Sequence, residues 1–154
     1  MRGFVLIRTL CIAMMALLLV PQVIDAAKKE PITDKIVFVP HDSRPISSKQ
    51  TADVVQRVGY DVVVPPAELL GNREDWGHPD ELWTWLDTAL AQPGVKAAVI
   101  SSDAMIYGSL VGSRKHSYSR DQILARAARF DELRRSHPKT PLYVFGSIMR
   151  TPRS

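Results

Sequence analysis

Cysteine is almost missing from this 154-residue chain, Cys11 being the single one. It stands in an N-terminal stretch that reads as a leader, in the context Arg8-Thr9-Leu10-Cys11, without the small residues that precede a lipidated cysteine. The remainder therefore has no disulfide, no thiol nucleophile and no cysteine-based metal site. Charge of one sign is also scarce. Lys plus Arg number 20 against 16 Asp plus Glu, a formal net charge of +4, and the basic residues are interspersed with acids apart from Arg126, Arg129, Arg134 and Arg135. Nucleic-acid binders gather their charge in a stripe, so no nucleic-acid partner is expected and these four arginines read as a solvated helix face.

Several motifs are missing as well. There is no Gly-x-Gly-x-x-Gly after the first strand and no phosphate-cradling Gly-Lys-Ser/Thr, which disfavours dinucleotides and nucleotides as ligands. The serines at 101, 102, 109 and 113 lack a nucleophile elbow, which disfavours a serine hydrolase. His41 and His116 raise the question of a metal, but no His-x-x-x-His or His-x-His spacing exists, and the reading is no metal and no cofactor.

What the chain does have is the composition of a globular protein, 45% apolar and 23% charged. Part of that apolar content lies in residues 1–26. Arg2 and Arg8 precede the unbroken run Thr9 to Val20, then come Pro21 and small residues. This is the architecture of an export signal, cut after Ala26. The rival is an uncleaved anchor, but a spanning helix needs roughly 20 apolar residues, more than Arg8 and Pro21 bracket. The cut removes Arg2, Arg8 and Asp25, lowering the net charge from +4 to +3. The expectation is a protein exported to the periplasm, cell envelope or exterior, touching the membrane only through its leader.

Residues 27–154 alternate. Lys35-Ile-Val-Phe-Val-Pro40, Asp61-Val-Val-Val-Pro65, Lys96-Ala-Ala-Val-Ile-Ser101 and Pro141-Leu-Tyr-Val-Phe-Gly146 are continuously apolar, as strands covered on both faces are. Between the first two, a helix is predicted with a Ser47/Gln50 capping box, the stripe Thr51, Val54, Val55 and Val58, and a stop at Gly59. Between the second and third, an irregular excursion over 67–78 leads to a helix opened by Pro79, Asp80 and Glu81, with Leu82, Trp83, Leu86, Ala89 and Leu90 inward. Residues 101–118 read as a long polar loop. Ser119 and Gln122 cap a third helix with the stripe Ile123, Ala127, Phe130 and Leu133. The fold class is α/β, a parallel sheet with alternating helices, either half of a TIM-like barrel or an open three-layer Rossmann-like sheet.

In both architectures ligands sit at the carboxyl ends of the strands. There the sequence places His41, Asp42 and Arg44, then Asp103 and Tyr107, then Arg150, with Arg114 and His116 further along the third segment. Asp42 and Asp103 form a candidate catalytic pair of carboxylates, one holding a proton for a leaving oxygen and the other acting as base or nucleophile. Arg44, Tyr107, Arg114 and Arg150 are candidate substrate-binding residues, the arginines being suited to forked contacts with an anionic group. The alternative is that the arginines only neutralise the aspartates and order the loops.

Five ordered blocks carry a family resemblance: Val39-Pro-His-Asp-Ser-Arg-Pro45, Val64-Pro-Pro-Ala-Glu-Leu-Leu-Gly71, Leu82-Trp-Thr-Trp-Leu86, the stretch from Ser102 to Arg114, and Ile148-Met-Arg150. Across residues 36–150 the chain resembles the bacterial family of domain of unknown function 4127. The resemblance implies no established activity. It does imply a length of several hundred residues, so that 27–154 is expected to be the N-terminal part of a longer, truncated domain. Export and strand-end carboxylates together predict a hydrolase of glycan or cell-envelope material. The alternatives are a non-catalytic domain binding an anionic or sugar ligand, and an inactive fragment of a longer enzyme.

Overall fold

The computed structural model describes residues 34–148. The expected leader at 1–26, Met149 and the candidate Arg150 lie outside the described residues. In chain order the elements are β1 (Lys35–Val39), α1 (Lys49–Gln56), β2 (Asp61–Val63), a 3-10 turn (Ala67–Leu69), α2 (Pro79–Leu90), β3 (Val95–Ser101), α3 (Ser102–Tyr107), α4 (Gly112–Lys115), α5 (Arg120–Ser136) and β4 (Leu142–Phe145). The four strands are parallel in the order β2-β1-β3-β4. Because β2 and β3 lie on opposite sides of β1, the sheet is open, and the half-barrel alternative falls away.

Alternation along the strands sends side chains to two faces. Val37, Val39, Ala98 and Ile100 meet Leu82, Trp83, Leu86, Ala89 and Leu90 of α2, Ala104 and Met105 of α3 and Leu133 of α5. Phe38 and Val62 meet Ala52 of α1 on the other face, with Val55, Val99 and Phe145 packed alongside. Trp83, only 1% exposed, donates its indole N–H to the Met105 carbonyl at 3.0 Å, so its polar atom is satisfied inside the core.

Local structure departs from the sequence reading at four places. The Ser47/Gln50 box does not form, since α1 starts at Lys49 after Ser48 without a side-chain cap. Its inward residues are Ala52 and Val55, whereas Val54 and Val58 are exposed, so only part of the expected stripe faces the sheet. The supposed loop 101–118 holds α3 and α4: Ser101 ends β3 and at once caps α3 by accepting from the Ala104 N–H at 3.3 Å. Arg126 is buried rather than solvated, with Nε and Nη2 on Asp80 at 3.2 and 2.9 Å and Nη1 on the Ile106 carbonyl at 2.9 Å. Finally, β4 is an edge strand whose Tyr143 and Val144 are exposed. By contrast, the Ser119/Gln122 capping box forms at α5, and Gly59 adopts φ +99° beyond α1.

Candidate functional site

The chain leaves β1 toward β2 in one direction and returns to β3 on the other side, so the crevice at the carboxyl ends of β1 and β3 is the topological switch point of the sheet. Open α/β sheets bind ligands at such points. Residues 41–47 follow β1 there, and the β3–α3 junction follows β3.

His41, Ser101 and Asp103 converge there. His41 Nδ1 lies 3.3 Å from Asp103 Oδ2 and 3.1 Å from Ser101 Oγ. Asp103 is held from the β4 side, accepting the Ser147 N–H on Oδ2 at 2.9 Å and the Ser147 hydroxyl on Oδ1 at 3.2 Å. The carboxylate only accepts, whereas the Ser101 hydroxyl that hydrogen-bonds Nδ1 can accept or donate, so the Nδ1–H form is the neutral tautomer that sets no lone pair against Asp103. The lone pair is then on Nε2, which has no protein partner among the described residues. The His41 side chain is 26% exposed and that of Asp103 7%, so a shielded carboxylate backs an accessible imidazole.

Asp42 is arranged differently. Its carboxylate is fully buried and takes Nε and Nη2 of Arg44 at 3.0 and 2.7 Å on Oδ2, with the Arg44 N–H on Oδ1 at 3.1 Å. Burial pushes the carboxyl up, but hydrogen bonds from the Arg44 side chain, Ser47 and the Arg44 N–H, with the guanidinium charge, outweigh it and leave Asp42 below its ordinary range. Of the two candidate aspartates, Asp42 thus faces Arg44 while Asp103 faces His41 and Ser147.

The other candidates lie elsewhere. Tyr107 stacks on His116 with ring centres 4.8 Å apart, and His116 on Tyr118 at 5.9 Å. Arg114 is exposed on α4. His41 is legible as a strand-end residue and a weak metal candidate, and Ser147 carries no sequence signal beyond standing after the fourth strand. Among the described residues no three His, Cys, Asp or Glu side chains group as metal ligands.

Two glycines hold these loops together. Gly71 donates to the Gly108 carbonyl at 3.0 Å, and its own carbonyl accepts the Ser43 N–H at 2.9 Å, tying the segments that follow β1, β2 and β3. Gly108 has φ +89°, and a Cβ there would stand 1.7 Å from the Trp76 carbonyl oxygen. Only glycine fits both the dihedral and the space.

These features define an open parallel α/β domain in which a histidine, a serine and an aspartate converge at the switch point. The chain belongs to the family described as protein of unknown function (DUF4127), whose model matches residues 36–154. No curated protein and no solved structure matches it.

Proposed function

We propose that the switch-point site is the acid-base centre of an exported hydrolase acting on glycan or other cell-envelope material. The observation that carries this reading is the 3.3 Å approach of Asp103 Oδ2 to Nδ1 of a His41 side chain that is 26% exposed, an arrangement that suits Nε2 to act as the base. His41 Nε2 takes a proton from water as the water attacks the substrate, then returns it to the leaving oxygen. Asp103 orients the ring and balances the imidazolium formed between those steps, so it is a positioning residue. Within the original carboxylate pair, Asp42 serves the loop instead, because an ionised side chain with both oxygens engaged has no proton to give. Export rests on the leader at 1–26.

Arg44 is spent on Asp42, which weighs against the alternative of an arginine clamp for an anionic ligand. The test is release of reducing ends or acids from purified cell-wall glycan by the full chain and by His41→Ala. Turnover in the parent that disappears in the variant is expected; turnover that survives His41→Ala overturns the reading. Binding without turnover in the parent favours the non-catalytic alternative.

A further inference from the structure

Beside His41, on the α1 face of the sheet, lies a crevice of about 450 Å³ lined by Phe38, His41, Ile46, Ser47, Thr51, Val99 and Phe145. Its volume falls within the roughly 300–1,000 Å³ of small-molecule sites, which combine apolar walls with a few polar groups. The same imidazole faces both places: His41 Nδ1 lies 3.3 Å from Asp103, and the ring packs edge-on against Phe145 with ring centres 4.8 Å apart. A group lodged between Phe38, Val99 and Phe145 therefore lies against the proposed base.

The wall opposite β4 is preformed. Asp42 and Arg44 lock the turn that carries Ile46 and Ser47, and Ser47 and Ser48 donate their N–H groups to the Arg44 carbonyl. Thr51 hands its hydroxyl to the Ile46 carbonyl at 3.2 Å, so that polar group is already engaged. A sugar ring offers hydroxyls that these apolar walls cannot pair, and unpaired buried polar groups are costly.

We propose that this crevice binds a short alkyl or acyl chain carried by the substrate, while the polar part remains at the His41–Asp103 end. The assignment rests on the acid-base reading of His41 only for which bond is cleaved; binding of the chain stands apart from it. The substrate class is accordingly an acylated or alkylated polyhydroxylated molecule rather than an unsubstituted glycan.

The test is titration of the full chain with methyl, butyl and hexyl β-glucosides below their micelle concentrations, following affinity and the His41 ring resonances. Affinity is expected to rise about two- to fourfold for each added methylene, the upper figure corresponding to complete burial, with His41 resonances shifting. Ile46 is 70% exposed, so Ile46→Trp can fill the mouth without disturbing the core; Thr51→Phe is a second filling variant. Either should abolish the chain-length dependence. Affinity independent of chain length overturns the proposal. So does concentration-dependent self-association that both variants abolish while the glucosides leave it unchanged, which makes the crevice a contact between copies. A chain-length dependence that persists while His41→Ala keeps turnover supports the crevice and removes only the catalytic reading.

Discussion

His41 Nδ1 and Asp103 Oδ2 stand 3.3 Å apart although 62 positions of sequence numbering separate them, and Ser147 fixes the far side of the same carboxylate. If Asp103 sets the tautomer, Asp103→Asn should lower turnover about a hundredfold, within the range of general acid-base effects, while leaving the fold intact. The nitrogen resonances of His41 provide the separate readout. They should lose the Nδ1–H signature of the parent, and an unchanged tautomer with unchanged turnover would remove Asp103 from its positioning role.

Asp42 should report on stability rather than on proton transfer. Its carboxyl lies below its ordinary range in the folded protein, so the stabilisation is fully present above the unfolded value of about 3.9 and is lost as pH falls through the folded value. Asp42→Asn weakens the three hydrogen bonds that its buried carboxylate accepts from the partly exposed Arg44 and should cost about 2 kcal/mol at neutral pH, in the range of hydrogen bonds to a charged group. Denaturant midpoints of parent and variant between neutral pH and pH 3 should converge as the parent loses this contribution. A constant gap over that range would contradict the assignment.

Arg126 and Asp80 should be unequal partners. The Asp80 side chain is 69% exposed, whereas Arg126 has only 10% of its side chain exposed, bonds the Ile106 carbonyl and lies 4.2 Å above the Tyr118 ring. Arg126→Ala removes the contacts that bind α5 to both α2 and α3 and should cost about 2 kcal/mol. Asp80→Asn removes a mostly solvated charge and should cost less than about 1 kcal/mol. Equal losses in thermal or denaturant unfolding would show that the ion pair, rather than the buried arginine, carries the contact.

Much of the architecture is readable from local patterns because each strand is an apolar run and Ser119 with Gln122 signals a helix start directly. The six-residue α3 is different: it spans too few turns to display a helical period, and Ser101 does duty as both strand end and cap. Arg126 looks solvated in sequence because its partner Asp80 is remote and on another helix. The site has the same cause on a larger scale. Proximity of His41 to Asp103 follows from β1 lying beside β3, and strand order is a property of the whole chain that neighbouring residues do not encode. Sequence placed both residues on the strand-end rim but paired Asp103 with Asp42 through their shared chemistry, whereas the fold sets Arg44 beside Asp42 and His41 beside Asp103.

Gly108 offers the sharpest test of how the rim is held. Its left-handed φ of +89° ends α3, and its carbonyl accepts from Gly71, so one residue both turns the chain and joins two loops. Alanine there is strained by the dihedral and collides with the Trp76 carbonyl, which is backbone and can yield only by moving the 71–77 segment. Gly108→Ala should therefore cost more than about 2 kcal/mol, the sum of an unfavourable φ and an overpacked contact. Gly59→Ala makes the matching control: its φ of +99° is equally left-handed, yet nothing lies within 4 Å of the added Cβ, so it should cost only about 1 kcal/mol. Urea unfolding of the two variants separates strain from collision. A Gly108→Ala loss no larger than that of Gly59→Ala would mean that the Trp76 segment gives way freely and that the glycine junction does not hold the site loops.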